Sequence, residues 1–195
     1  CRKLDDCRTR RGVQLNVIGP RGAATSTVAT LAFVLRMAVE GREPYIWIVS
    51  DTKDQAAMHL ENVRTELETN RLLAVDYPLS VGIGSRLNKM SLTLRNGTRI
   101  DAYGTGQRIR GRRRDSDRPS LIICDDLQND QHMESARQRE RSARWFHGTL
   151  LNAGDKHTNV INLATALHRD ALAMQLHNTA GWTSRRFRAI VQWPE

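Results

Sequence analysis

The chain has 195 residues, of which 39% are hydrophobic and 26% are charged, and its formal net charge is +9. This length suits a single domain with one hydrophobic core, and no run of residues approaches the roughly 18 apolar residues of a membrane-spanning helix. All but four of the 30 basic residues are Arg, whose guanidinium groups bind phosphates bidentately. The charge predicts a polyanionic partner such as nucleic acid, although a genome rich in G+C would produce the same excess of Arg over Lys.

Short apolar runs alternate with amphipathic segments along most of the chain. After the first run, the helix that should end at Gly41 carries Val28, Leu31, Ala32, Leu35 and Val39 on one face. Thr52 and Gln55 predict a capping box for the next helix, and further helices are expected over residues 134–146 and from about Asp170. Strands are predicted at residues 13–18, 45–50, 120–124, 159–164 and 187–193. This alternation predicts an α/β fold with a mostly parallel, doubly wound sheet.

Residues 91–102, SLTLRNGTRIDA, interrupt the alternation with two short strand-like runs around Asn96-Gly97. Asn-Gly is typical of a type I′ turn, because both residues tolerate a positive φ. The segment therefore predicts an inserted β-hairpin.

Residues 19–27, GPRGAATST, lie between a predicted strand and a predicted helix, which is where a phosphate-binding loop is found. Against the pattern G-x-x-x-x-G-K-[ST], Gly19 and Ser26 match, whereas Ala24 replaces the second Gly and Thr25 replaces the Lys. Arg21 can supply the missing cation. A strand–helix turn without a nucleotide remains the alternative. The candidate nucleotide-binding residues are Gly19, Pro20, Arg21, Gly22, Ala23, Ala24, Thr25, Ser26 and Thr27.

Asp125 and Asp126 follow the apolar run LIIC at the carboxyl end of a predicted strand. In nucleotide hydrolases one carboxylate at this place holds Mg²⁺ and the next orients or deprotonates the attacking water. We therefore expect Asp125 to serve the metal and Asp126 to serve the water, and both to meet the loop at the same edge of the sheet. The alternative is a pair of acids that caps the next helix.

Six Arg residues lie within eleven positions of the loop from Arg108 to Arg118. Such a loop can place an arginine finger at a neighbouring subunit's nucleotide, can contact DNA phosphates, or can be a solvated basic loop. Thr165, at the end of the fourth predicted strand, either senses the terminal phosphate or caps a helix. We expect the six His residues to be structural or exposed to solvent, because their spacing does not suit zinc.

Taken together, GPRGAATST, YIWIVSDTKDQAAMHLENVRTELETN, YGTGQRIRG, RPSLIICDDLQND and NLATALHRDAL resemble the ATPase domain of a tailed-phage terminase large subunit. The resemblance covers roughly residues 13–195. It implies a P-loop ATPase of the ASCE type that hydrolyses ATP with Mg²⁺ and moves double-stranded DNA as a homo-oligomeric ring. It further implies a portal protein and a terminase small subunit as partners, no membrane association, and action in the host cytoplasm at the procapsid portal vertex but not in the mature virion.

The resemblance also implies roles for individual residues. Ser26 and Asp125 match the Mg²⁺ ligands, and Thr165 falls in the coupling motif. Asp126 and Arg21 match catalytic residues, while Thr25 and Gln128 depart from the family's Lys and Glu. Arg110 best matches the Arg that acts in trans, with Arg112 and Arg114 as alternative fingers or DNA contacts. We expect residues 1–195 to form a single ATPase domain without nuclease activity. A nucleotide-binding or ring-forming module with impaired hydrolysis, or a DNA-binding domain of similar fold, remain alternatives.

Overall fold

The computed structural model describes residues 2–109, 118–129, 135–165 and 167–189. The strands are β1 (Gln14–Gly19), β2 (Tyr45–Ser50), β3 (Ile83–Asn88), β4 (Ser91–Leu94), β5 (Arg99–Gly104), β6 (Leu121–Asp125), β7 (Asn159–Thr165) and β8 (Thr183–Arg186). The helices are α1 (Arg2–Thr9), a π-helix (Ser26–Phe33) that continues as α2 (Val34–Val39), α3 (Lys53–Thr69), α4 (Arg71–Asp76), α5 (Ala136–Trp145) and α6 (Leu172–His177). A π-helical turn (Phe146–Leu150) and a 3₁₀ turn (Leu151–Ala153) follow α5.

Within the described residues, the eight strands form one sheet in the order β3-β4-β5-β2-β6-β7-β1-β8. The pairs from β5 to β8 across this order are parallel, and β3 and β4 extend the sheet antiparallel at one edge. One face packs against α2 and α3, and the other packs against α5 and α6. Strands β2 and β6 are buried along their whole length, as expected for parallel strands that helices cover on both sides. The predicted α/β fold class is confirmed.

The helix after the first strand buries a different set of residues from the one that the sequence predicted. Val28 is 41% exposed, whereas Ala29, Thr30 and Phe33 are buried. The cause is the π-helix, whose i→i+5 hydrogen bonds widen each turn, so residues three or four apart no longer share a face. The predicted apolar face from Val28 onward is therefore wrong in its first turns.

The predicted hairpin is present as β4 and β5, but its turn differs from the type I′ prediction. Gly97 has a φ of +88°, while Asn96 is not among the described residues with positive φ. The Gly97 N–H donates to the Leu94 carbonyl at 3.0 Å. Strand β5 then pairs parallel with β2, so the hairpin continues the main sheet.

The last strand of the sheet is β8, and it precedes the strand predicted at residues 187–193. Side-chain hydrogen bonds fix its position, because Asn16 Nδ2 donates to the Ser184 hydroxyl at 3.1 Å and to the Ala173 carbonyl of α6 at 2.8 Å. Asn162 Nδ2 in turn donates to Asn16 Oδ1 at 2.9 Å. These bonds tie β7, β1, β8 and α6 together. Phe187 and the two residues after it lie outside regular structure, and residues 190–195 lie outside the described ranges.

Two further features of the described residues are the hydropathy of the helices and the burial of two cysteines. Among the described residues, no helix is both long enough and apolar enough to cross a membrane. Cys7 in α1 and Cys124 in β6 are both buried free thiols.

Candidate functional site

The predicted phosphate loop lies where β1 ends and the π-helix begins, at the carboxyl edge of the parallel strands. Seven of its nine residues, Pro20 to Ser26, line a cavity of about 590 Å³. Gly19 packs beneath the loop, where an added Cβ would lie 3.4 Å from the Thr25 methyl group. Thr27 is exposed and does not line the cavity.

The loop backbone is folded tightly through two residues with positive φ. Gly22 has a φ of +80° and Ala24 a φ of +54°. The Ala23 N–H donates to the Pro20 carbonyl at 3.3 Å, and the Val28 N–H donates to the Ala24 carbonyl at 3.0 Å. The loop thus leads directly into the first turn of a helix, whose N-terminal N–H groups favour bound anions.

The two predicted metal ligands are in direct contact. The Ser26 hydroxyl donates to Asp125 Oδ1 at 3.0 Å, and the Thr30 hydroxyl donates to Asp125 Oδ2 at 2.6 Å. Asp125 is only 3% exposed, so these hydroxyls hold its carboxylate in one orientation. Ser26 and Asp125 come from the loop and from β6, 99 residues apart in the chain.

Asp126 lies beside Asp125 with its backbone in the left-handed region, at a φ of +47°. The Thr165 N–H donates to Asp126 Oδ1 at 3.0 Å, and the Asp126 N–H donates to the Leu163 carbonyl. Desolvation inside the cleft raises the pKa of Asp126, with a further contribution from Asp125, against the opposing effects of Thr165 and Arg21. The fold thus brings the loop, Asp126 and Thr165 to one cavity.

Arg21 is the one predicted cation of the loop, and it is exposed at the cavity. Its positive charge acts on Asp126, so its guanidinium lies within electrostatic range of that carboxyl. Thr25 also lines the cavity with an uncharged side chain.

Five polar residues of the cavity lining were not predicted as site residues. Asp51 and Thr52 follow β2 at the same sheet edge, and the signal that identifies them is their place directly after a buried strand. Asn129 Nδ2 donates to Asp51 Oδ2 at 2.7 Å. Gln55 and His59 project from α3 one helical turn apart. The lining that sequence analysis missed comprises Asp51, Thr52, Gln55, His59 and Asn129.

His59 corrects the expectation that all His residues are structural or exposed to solvent. Its Nε2 lies 3.5 Å from Asp125 Oδ2 and 3.3 Å from Gln55 Nε2. His59 therefore touches the carboxylate predicted to hold the metal. A lone His at helical spacing carries no sequence signal for this position.

Gln128, which departs from the family's Glu, is 9% exposed and lines the same cavity. Its Oε1 accepts the Leu172 N–H at 2.8 Å, at the start of α6. Its Nε2 is buried and has no hydrogen-bond partner among the described residues. Gln128 thus joins the segment after β6 to α6.

Arg110, Arg112 and Arg114 lie outside the described residues. The segment before them is held by Gln107, whose Oε1 accepts the Gly104 N–H at 3.2 Å and whose carbonyl accepts Trp145 Nε1 at 3.0 Å. The roles predicted for the three Arg residues stay predictions.

The donors that the fold assembles fit a magnesium ion bound together with phosphate. No group of three or more His, Cys, Asp or Glu side chains suited to a metal ion exists in the described part of the chain. Mg²⁺ in nucleotide enzymes typically takes one or two protein oxygens and completes its shell with phosphate oxygens and waters. Ser26 and Asp125, in contact at the mouth of the loop, supply that smaller set.

Comparison with solved structures finds a known structure with a similar fold. The large terminase ATPase domain of Thermus phage P74-26, in a mutant form, matches with a TM-score of 0.59 at 10% identity, over 91% of this chain and 76% of that chain. The chain has the fold of a large terminase ATPase domain. The C-terminal domain of a possible DNA helicase from Lactobacillus plantarum WCFS1 gives a TM-score of only 0.42 at 11% identity, over 93% and 94% of the two chains. No protein-family model and no curated protein sequence matches the chain.

Proposed function

We propose that this chain is the ATPase motor domain of a viral terminase large subunit, which hydrolyses ATP with Mg²⁺ to move double-stranded DNA into a procapsid. The observation that carries the proposal is the contact between Ser26 and Asp125 at 3.0 Å, with Asp126 on the same cavity. This is the set of oxygens that phosphoryl transfer to water needs beside a phosphate loop. The terminase-like fold supports the proposal.

The loop binds the phosphates of the nucleotide. Free N–H groups at the start of the π-helix and the helix dipole favour the negative charge. Arg21 supplies the positive charge that the missing loop Lys would provide, because it is the cation of the loop that lines the cavity. Its fork can hold two phosphate oxygens at once.

Asp125 and Ser26 would hold Mg²⁺, and Asp126 would orient and deprotonate the attacking water. When bound, the ion neutralises charge on the phosphate oxygens and orients them. Asp126 is suited to its part because its pKa is raised, which makes the carboxylate a better proton acceptor than an ordinary Asp. Thr165, which donates its N–H to Asp126, would carry a change at the carboxylate into β7.

A second candidate function is a nucleotide-binding or ring-forming module with impaired hydrolysis. Thr25 favours it, because an uncharged side chain stands at the cavity where the family has Lys. One charge at ~4 Å and an effective dielectric near 20 is worth roughly 4 kcal/mol. If half of this acted only in the transition state, its loss would slow hydrolysis about 30-fold.

The phosphate site is tested by calorimetry with ATP and Mg²⁺ on the unmodified chain and on Arg21→Ala. We expect binding that Arg21→Ala abolishes or weakens at least tenfold. Arg144→Ala is the matched control, because this Arg is exposed on α5, outside the cavity lining. Equal binding by all three proteins would remove Arg21 from the site.

Hydrolysis is tested by release of phosphate. Asp125→Ala should abolish turnover, and Asp126→Ala should lower kcat by about 10²–10⁴, the usual contribution of a positioned base. Asp76→Ala removes an exposed acid at the end of α4 and should change nothing. If Thr25→Lys raises turnover about 30-fold, the impaired module becomes the better description of the native chain.

The DNA-packaging part of the proposal predicts that double-stranded DNA stimulates hydrolysis and that stimulation falls steeply as salt rises. The ring, the portal protein and the small subunit as partners, and the site of action at the procapsid portal vertex in the host cytoplasm, belong to the same proposal. Turnover that is unaffected by DNA at low salt would contradict it.

A further inference from the structure

Among the described residues, the cavity is lined by polar groups that can bind phosphates, but by no Phe, Tyr or Trp that could stack on a nucleobase. Its apolar lining consists of Pro20, Ala23, Ala24 and Leu167. Nucleotide sites commonly hold the base against a flat apolar or aromatic surface. Among the described residues, a candidate for that surface has to be sought beyond the cavity itself.

The position of the acids fixes the direction in which the base must leave the loop. Strand β1, which carries the loop, has β7 on one side and β8 on the other. Asp125, Asp126 and Thr165 all lie on the side of β7 and β6. If the terminal phosphate of the proposed nucleotide lies beside these acids, the sugar and base extend from the opposite end of the phosphate chain, toward β8.

Phe187 stands on that side, directly after β8. Arg186 pairs with Ile18 in the parallel ladder, and the Phe187 N–H donates to the Ile18 carbonyl at 2.8 Å. Neighbouring strands lie about 4.8 Å apart, so the Phe187 backbone is one strand spacing from the point where the loop begins. Two polar bonds on Asn16 hold β8 in this register.

Phe187 has an exposed ring that the fold leaves without a partner in the core. Phe187 is 59% exposed, and it is the only exposed Phe, Tyr or Trp among the described residues. Ser184 points to the α6 face, where its hydroxyl contacts Asn16. The bond from the Phe187 N–H to Ile18 continues the ladder one residue beyond β8. Because side chains alternate along a strand, Phe187 then lies on the other face, the one that carries the π-helix after the loop.

Positive charge flanks Phe187 along the chain. Arg185, Arg186 and Arg188 are exposed, and none of them forms a salt bridge with another described residue. A polyanionic nucleotide is attracted to such a surface rather than repelled from it.

We infer that Phe187 is the stacking platform for the nucleobase of the bound nucleotide, at the end of the site opposite the acids. The inference rests on the proposed nucleotide site and adds a subsite to it. Stacking on an aromatic ring tolerates every base, because each base has a π face. Phe187 therefore strengthens binding of ATP and GTP alike, without selecting between them.

The test is calorimetry of two ligands, ATP and inorganic tripolyphosphate, each with Mg²⁺, because only the first has a base. We expect Phe187→Ala to weaken ATP about tenfold, within the range of one lost stacking contact, and to leave tripolyphosphate unchanged. Phe187→Leu, which keeps an apolar side chain, should lose most of the same affinity, and Phe187→Trp should keep it. Leu72→Ala on α4, where Leu72 is 76% exposed, is the matched control.

The outcomes separate this inference from the proposed function. If the unmodified chain binds neither ligand, the nucleotide site fails and the inference fails with it. If the unmodified chain binds both ligands equally, or if Phe187→Ala retains full preference for ATP over tripolyphosphate, Phe187 is not the platform while the phosphate site stands. Thermal unfolding of each variant checks that the exposed substitution leaves the fold intact.

Discussion

Two residues other than Gly hold a left-handed backbone in the described part of the chain, and both line the candidate site. They are Ala24 in the predicted phosphate loop and Asp126 after β6. The left-handed conformation costs a residue with a Cβ roughly 1–2 kcal/mol, and such strain collects at functional sites. At Ala24 the strain explains why the phosphate-loop pattern has Gly at this place.

Ala24→Gly should stabilise the protein. Removing the Cβ relieves about 1–2 kcal/mol of strain and costs about 0.5–1 kcal/mol of chain entropy, which leaves a rise in melting temperature of about 1–3 °C. Ala23→Gly, one residue earlier and without a positive φ, is the control and should lower the melting temperature slightly. Equal shifts in both variants would show that the loop carries no strain at Ala24.

Asp126→Asn should stabilise the protein at neutral pH and lose this advantage in acid. The pKa of Asp126 is raised in the folded state, so the native fold favours the protonated form and disfavours the carboxylate. The unfavourable ionised form is present above the folded pKa and disappears as the pH falls below about 4, the ordinary Asp value. Asn keeps an oxygen for the Thr165 N–H and accepts a left-handed backbone.

Melting temperatures of Asp126→Asn and of the unmodified chain, compared at pH 7 and near pH 4, measure this effect. The exposed Asp76→Asn corrects for the general effect of removing one negative charge from a chain of net charge +9. A gain that is independent of pH would assign the whole difference to relief of backbone strain.

At the scale of elements, β5 and α3 approach so closely that only Gly fits between them. A Cβ on Gly104 would lie 2.6 Å from the Lys53 nitrogen and 3.0 Å from the Thr52 carbonyl carbon. Both atoms belong to the start of α3, where the Thr52 hydroxyl accepts the Gln55 N–H at 3.1 Å. This approach places α3, and with it Gln55 and His59, at the cavity.

Gly104→Ala should therefore destabilise the protein by about 1–3 kcal/mol, the usual cost of overpacking, and should displace α3. Urea unfolding measures the loss of stability. Gly148→Ala is the control, because a Cβ on Gly148 meets no atom within 4 Å. A Gly104→Ala variant as stable as the control would mean that α3 moves away from the added methyl group with no loss of stability.

The elements differ in how well the sequence predicted them, for physical reasons. The buried runs of β2 and β6 are unambiguous, because central parallel strands are apolar throughout. The meeting of Ser26 with Asp125 followed from the rule that loops at the carboxyl edge share one site. Strand β8 was missed because an edge strand has no such run, and hydrogen bonds from Asn16 set its position. The π-helix and the approach of His59 depend on tertiary packing and leave no local signal.

At the scale of the whole molecule, the strand order places β7 between the loop strand β1 and the acid strand β6. The proposed nucleotide site is therefore built on three adjacent strands. Asp126 hydrogen-bonds to Thr165 and Leu163 on the middle strand. If Arg110 completes this site from a neighbouring subunit, as the resemblance implies, one chain alone lacks part of its catalytic machinery.

We therefore expect turnover per subunit to rise with protein concentration. The measurement is phosphate release over a wide range of concentrations, with sedimentation of the same samples to follow association. Arg110→Ala should remove the rise and leave nucleotide binding in place. Turnover strictly proportional to concentration would contradict a finger that acts in trans.

Alkylation of the two buried thiols can report how often the fold opens around each of them. Both thiols are buried, and burial raises the pKa of Cys7 to about 12 and also raises the pKa of Cys124. We therefore expect neither thiol to be alkylated while its surroundings stay closed. Cys7 lies in the N-terminal helix, whereas Cys124 lies in the middle of the sheet, next to Asp125. The rate at which Cys124 is alkylated therefore reports openings of the central strand itself. A nucleotide bound at the proposed site would lower that rate, and would lower it more as its concentration rises above its Kd.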